Sequence, residues 1–114
     1  MPEDLTLICH STVLSDPDSY GFQVEHQGEA VEGFVVKSDG QYFAYRNSCP
    51  HTGSPLDWVE HQFLDVEGAL IQCAVHDARF MIESGECVMG PCPGESLEKI
   101  EIRVEDDQIY LMKA

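Results

Sequence analysis

The chain has 114 residues, the usual size of one domain, and 21 Asp and Glu against 6 Lys and Arg give it a net charge of −15. This charge would repel phosphates and anionic lipid, so it excludes nucleic acid and membrane surfaces as partners. No basic, apolar signal segment opens the chain, and no apolar run approaches the roughly 20 residues of a membrane-spanning helix. We therefore expect a cytoplasmic protein. Its acidity serves solubility, and it also favours redox partners with a basic surface.

The hydrophobic periodicity is that of short strands. Three turns separate pairs of them: Ser38-Asp39-Gly40, a strong hairpin signal, Glu67-Gly68, and Asp106-Asp107. No window of about eleven residues shows a helical stripe. The fold class is therefore all-β, as a small sandwich or barrel. We predict strands at residues 5–8, 22–24, 33–36, 41–45, 63–66, 69–72, 100–104 and 109–111.

Two mirrored Cys/His pairs are the chemically distinctive feature. Cys49 and His51 flank Pro50, and Cys73 is followed three residues later by His76, at the end of a predicted strand. Thiolate and imidazole ligands suit iron or zinc and not calcium or magnesium, which prefer oxygen. Two cysteines and two histidines can hold a Rieske-type [2Fe–2S] cluster or a closed tetrahedral zinc site. The Cys-x-His spacing is unusual for a zinc knuckle, which favours the cluster.

Three segments resemble the Rieske family in order and spacing. Residues 49–56 look like its first ligand loop, residues 73–80 followed by Ser84-Gly85-Glu86 like its second, and residues 90–93 with Leu97 like its proline loop. The likeness spans roughly residues 30 to 110. It implies a single Rieske domain over residues 1–114: a β-sandwich with an inserted cluster-binding subdomain at about residues 47–95.

The resemblance also implies the cofactor, one [2Fe–2S] cluster per chain. In that family each loop supplies one ligand to each iron. Cys49 and Cys73 would then hold the inner iron, and His51 and His76 the outer iron, from which the electron leaves. Trp58, after the first loop, and Leu56, Val75 and Pro93 are expected to have a core or lid role over the cluster, and such an apolar rim would also be the docking patch for a partner.

The potential is expected at the low end of the Rieske range. Neutral imidazoles leave the oxidised site uncharged, which is why Rieske potentials reach roughly −150 to +300 mV. High-potential members of the family carry a serine and a tyrosine hydroxyl near the sulfurs, and a disulfide between the loops. Here the matching positions are Ala78 and Phe80, and cysteines for the disulfide are missing. Asp77 stands where relatives often carry glycine. We expect it to be a solvated surface residue. The alternative is that its carboxylate lies close to a histidine ligand and lowers the cluster potential further.

The remaining cysteines and histidines have less specific interpretations. Cys9 is expected to be a small apolar core residue. Cys87 and Cys92 flank Gly90-Pro91, where packing is the default and a reversible disulfide the alternative. The chain has five cysteines, an odd number that does not suggest an oxidising compartment. His10, His26 and His61 lack partners at ligand spacing and are predicted at the surface or on edge strands.

We expect a one-electron carrier and not an enzyme. The leading hypothesis is a soluble Rieske-type ferredoxin between a reductase and a terminal oxygenase or similar enzyme, because the chain has no room for a second, catalytic domain. One alternative is the small Rieske subunit of a nitrite reductase-like or other oxidoreductase complex. The other is a redox-sensing module, in which the cluster reports and does not transfer electrons.

Overall fold

A computed structural model describes residues 5–48, 63–65, 68–72, 78–89 and 95–113. Apart from one short 3-10 turn at Ser11–Val13, the regular elements of this described part are all strands. The all-β prediction is therefore confirmed. The strands are β1 (Thr6–His10), β2 (Asp18–His26), β3 (Glu29–Ser38), β4 (Gln41–Arg46), β5 (Leu70–Gln72), β6 (Arg79–Met81), β7 (Cys87–Met89), β8 (Glu101–Glu105) and β9 (Gln108–Lys113).

The strands form three antiparallel, three-stranded sheets with the orders β1-β9-β8, β2-β3-β4 and β5-β6-β7. The central strand β3 is buried on both faces between residues 33 and 36. Because side chains alternate along a strand, Val35 joins one core and its neighbours Phe34 and Val36 join another. One sheet therefore supports two hydrophobic cores.

The first core joins β3 to the sheet β1-β9-β8 and forms the sandwich. Its buried members are Cys9, Leu14, Phe22, Val31, Val35, Ala44, Ile100, Ile109 and Leu111. The second core joins β3 and β4 to the small sheet β5-β6-β7. Its buried members are Phe34, Val36, Tyr45, Phe63, Ile71, Ala78, Phe80, Ile82, Cys87 and Leu97.

The hairpin turns are only partly visible in sequence. The predicted turn at residues 38–40 is confirmed, with Asp39 and Gly40 at positive φ of 52° and 77° and Ser38 paired to Gln41. The turn between β2 and β3, at Gln27 and Gly28, has the same geometry and was missed. Positive φ at both turn residues matches the right-handed twist of the strands, and glycine adopts it at no cost.

The small sheet differs most from the predicted strands. β6 and β7 have three residues each, too few for an alternating pattern, and neither was predicted. The predicted strand at residues 63–66 is, in its described part, a single bridge between Leu64 and Ile71. No helix in the described part of the chain is long and apolar enough to cross a bilayer.

Candidate metal centre

The four predicted ligands lie outside the described residues, as do His61, Asp77, Cys92 and the predicted capping residues. The structure describes instead the residues that border three segments: 49–62, which holds Cys49 and His51, 73–77, which holds Cys73 and His76, and 90–94, the proline loop. The contacts that fix these bordering residues are therefore the part of the site that the structure describes.

The first segment is anchored at both ends. On one side the Asn47 amide donates to the carbonyl of Glu32 on β3 at 3.0 Å. On the other side Phe63 is fully buried and stacks on Phe34, with ring centroids 4.2 Å apart and ring planes 7° apart. The Phe63 amide also donates to Oγ of Ser19 at 3.1 Å. Asn47 and Phe63, on the two sides of this segment, are therefore both fixed to the sheet β2-β3-β4.

The second segment is closed by a strand pair. Gln72 ends β5 and pairs with Arg79, the first residue of β6. The Gln72 amide donates to the carbonyl of Phe63 at 2.8 Å, which ties this segment to the end of the first one. Ala78 and Phe80, the two positions predicted to lack hydroxyl donors, are both fully buried in the second core.

The third segment is closed at its base by backbone hydrogen bonds. The amide of Cys87 donates to the carbonyl of Glu95 at 2.9 Å, and Glu86 forms a bridge with Ser96. Cys87 is buried, and its Sγ lies 3.4 Å from the carbonyl oxygen of Met89. The packing interpretation of Cys87 is confirmed, while its proposed disulfide partner lies outside the described residues.

One border of each segment lies at the same end of the small sheet. Arg79 pairs with Gln72 on one side and with Met89 on the other, and Phe63 hydrogen-bonds to Gln72. The segments that follow Gln72 and Met89 thus leave the sheet at the same end. By sequence, the first two segments carry two cysteines and two histidines, a donor set that suits iron and excludes hard cations. The residues present therefore fit a [2Fe–2S] cluster.

Comparison with family models identifies the domain. The model described as "Rieske [2Fe-2S] domain" matches residues 4–110. The chain belongs to this family. The cofactor of this Rieske domain is therefore a [2Fe–2S] cluster, and the zinc alternative is not supported.

Known relatives and solved structures agree with this assignment. The Rieske chain is 28% identical over 95 residues to the biphenyl dioxygenase ferredoxin subunit of Pseudomonas sp. (strain KKS102), covering 83% of this chain and 81% of that protein. It is 32% identical over 82 residues to human apoptosis-inducing factor 3, covering 68% of this chain but spanning only 12% of that protein. Its fold is similar to the ferredoxin of carbazole 1,9a-dioxygenase from Nocardioides aromaticivorans IC177, with a TM-score of 0.75, 20% identity, and coverage of 98% and 100% of the two chains.

The other predicted residues have mixed outcomes. Cys9 is buried in the first core, as expected. His10 is exposed on the edge strand β1. His26 does lie on an edge strand, β2, but its side chain is buried, and its Nδ1 shares a 2.7 Å hydrogen bond with the Thr6 hydroxyl.

One surface feature was missed. Three of the large apolar side chains exposed in the described part of the chain lie on the hairpin β6–β7: Met81 at 39%, Val88 at 48% and Met89 at 53% exposure. No sequence pattern marks this feature, because β6 and β7 have only three residues each. We name these three residues the apolar face of the small sheet.

Proposed function

We propose that this Rieske protein is a one-electron carrier, a ferredoxin that takes an electron from a reductase and passes it to a terminal oxygenase or similar enzyme. The observation that carries the proposal is the likeness to ferredoxins along most of their length: 81% of the biphenyl dioxygenase ferredoxin subunit and 100% of the carbazole dioxygenase ferredoxin. A further structural neighbour is a ferredoxin in complex with the oxygenase of carbazole 1,9a-dioxygenase, with a TM-score of 0.73.

The proposed cluster ligands are Cys49 and Cys73 for one iron, and His51 and His76 for the other. Bound there, the cluster supplies a single reversible electron-transfer centre. The protein's part is to hold the ligand segments at one end of the small sheet, through Phe63, Gln72 and Arg79. A cluster held by these ligands would be carried by segments that begin at this end of the small sheet.

Docking to the oxygenase is proposed through the apolar face, defined by Met81, Val88 and Met89. Glu83 and Glu86 are exposed beside these residues, within a chain whose net charge is −15. The complementary surface is an apolar patch on the oxygenase surrounded by Lys and Arg. Charges at such a rim steer association, and salt weakens them by screening. The same proposal places the carrier in the cytoplasm, consistent with Cys9 as a buried thiol.

The test is a stopped-flow measurement of electron transfer, with the oxygenase component of a biphenyl dioxygenase as the acceptor. One electron leaves the reduced cluster and reduces an iron centre of the oxygenase. We expect oxidation of the reduced protein at a rate that falls as salt rises. Failure to reduce the oxygenase at every ionic strength would overturn the proposal.

The alternative is a stably bound subunit of an oxidoreductase complex. It is supported by neighbours in which this fold is one part of an oxygenase chain, such as the terminal oxygenase of carbazole 1,9a-dioxygenase, where the match covers 31% of that chain at 14% identity. Affinity purification from the native host distinguishes the two: a subunit copurifies with a large partner at fixed stoichiometry, whereas a carrier separates from its partners.

A further inference from the structure

We propose that Tyr45 is a positioning residue of the cluster site, because it lies on the strand that leads into the first segment and its side chain contacts the elements that lead into or out of the other two. Tyr45 is fully buried near the end of β4, four residues before Cys49. The proposal rests on the family's [2Fe–2S] cluster and on the proposed ligand segments. It does not depend on the identity of the redox partner.

The first contact is a buried hydrogen bond to the β6–β7 hairpin, which follows the second segment in the chain. The Tyr45 hydroxyl donates to the carbonyl of Ile82 at 2.5 Å. Ile82 follows β6, the strand that begins just after residues 73–77. Burial, together with the nearby charge of Glu83, raises the pKa of Tyr45 to about 12, so the hydroxyl stays protonated and keeps its donor role. β4 and the β6–β7 hairpin are thereby fixed to each other.

The second contact is with Gly85 and Leu97, which lie before and after the third segment in the chain. A Cβ placed on Gly85 would lie 2.8 Å from Cε1 of Tyr45 and 3.3 Å from Cβ of Leu97, so the ring and Leu97 both pack against this glycine. The Leu97 amide donates to the carbonyl of Gly85 at 2.9 Å, and Tyr45 forms a backbone bridge with Lys99. The ring therefore contacts both sides of the third segment's base.

A residue in this position controls the relative placement of the loops and not only their stability. Each ligand segment is anchored locally by its own backbone hydrogen bonds, such as Asn47 to Glu32 and Cys87 to Glu95. The Tyr45 side chain connects β4, which ends just before Asn47, to Ile82 after β6 and to Gly85 and Leu97 at the base of the third segment. The groups around the ligands of a metal site orient those ligands. A displacement of these groups therefore alters the electronic structure of the site.

The test is Tyr45→Phe, which keeps the ring and removes the donor. We expect a folded protein whose reduced cluster gives shifted or broader EPR g values. With an iron chelator, its visible absorbance should be lost roughly threefold to tenfold faster, the range expected for one hydrogen bond. The matched control is Tyr42→Phe, which removes a hydroxyl from the same strand and should leave both readouts unchanged.

A second variant separates positioning from packing. Replacing Tyr45 by 4-aminophenylalanine keeps an N–H donor and should return the g values and the rate of cluster loss toward those of the native protein. If Tyr45→Phe lowers the melting temperature but leaves the g values and the cluster-loss rate unchanged, the residue is merely structural and the proposal is wrong. These readouts need no redox partner, so that failure would leave the carrier proposal intact.

Discussion

The Gln72 amide donates a 2.8 Å hydrogen bond to the carbonyl of Phe63, and this contact joins the residues that border two of the proposed cluster-binding segments. Gln72 directly precedes residues 73–77, and Phe63 directly follows residues 49–62. The Phe63 ring stacks on Phe34 of the central strand, so the junction is held by the larger sheet. The residues that border these two segments are thus supported by the second core.

This junction predicts the effect of Phe63→Leu. The variant loses the stacked ring pair and part of the buried volume, at a cost of about 1–2 kcal/mol in the free energy of unfolding. We expect faster loss of the cluster's visible absorbance with a chelator. The control is Phe22→Leu, a similar change in the first core. It should lower the melting temperature comparably and affect cluster loss less; equal effects on cluster loss would contradict the role of the junction.

Gly33 is predicted to tolerate no side chain. A Cβ there would lie 2.7 Å from the carbonyl oxygen of Tyr45 and 2.7 Å from Cδ1 of Ile100, and the former is backbone that cannot move aside. Gly33→Ala should cost about 1–3 kcal/mol of stability. Gly28→Ala is the control, since its Cβ would meet nothing within 4 Å and only the positive φ of 80° is strained. Thermal unfolding should show the larger loss at Gly33, and a larger loss at Gly28 would contradict the packing argument.

The apolar face predicts where the oxygenase docks. Met89→Glu places a charge within this face and should slow electron transfer to the oxygenase component at least about tenfold, since about 1.4 kcal/mol of lost interaction gives that factor. Val104→Glu is the control: Val104 is exposed to a similar degree, 41%, but lies on β8 of the sandwich. Both variants should keep their cluster spectrum. Equal slowing by the two would show that net charge and not this face governs association.

Cys9 predicts a pH dependence of stability. Burial raises the pKa of its thiol from 9.0 to about 11. The unfolded chain therefore releases this proton at lower pH than the folded protein does. The stability that the neutral thiol contributes is complete below about pH 9 and is lost as pH rises toward about 11. The melting temperature should fall through this window, and less steeply in Cys9→Ala. If the melting temperature fell equally steeply with pH in both proteins, the raised pKa of Cys9 would be contradicted.

The sequence predicts the strand character and the family from particular residues, and it fails where the pattern is short. The hairpin around Asp39 and Gly40 was predictable because its turn residues flank long alternating strands. β6 and β7 were not, because three residues cannot display a period, and their pairing depends on the buried Phe80 and Cys87. The Tyr45 contact with Ile82 joins residues 37 positions apart, a relation that no local pattern records. The predicted ligands were assigned from spacing and chemistry, and they stay a prediction.

EPR spectroscopy of the dithionite-reduced protein, combined with a potentiometric titration, tests the central claim most directly. The account predicts a Rieske spectrum, with an average g value below that of all-cysteine clusters, which is lost in Cys73→Ser. It also predicts a midpoint potential toward the low end of the roughly −150 to +300 mV range. Absence of that spectrum in the iron-loaded protein would contradict the cluster, and a midpoint above about +100 mV would contradict its low-potential character.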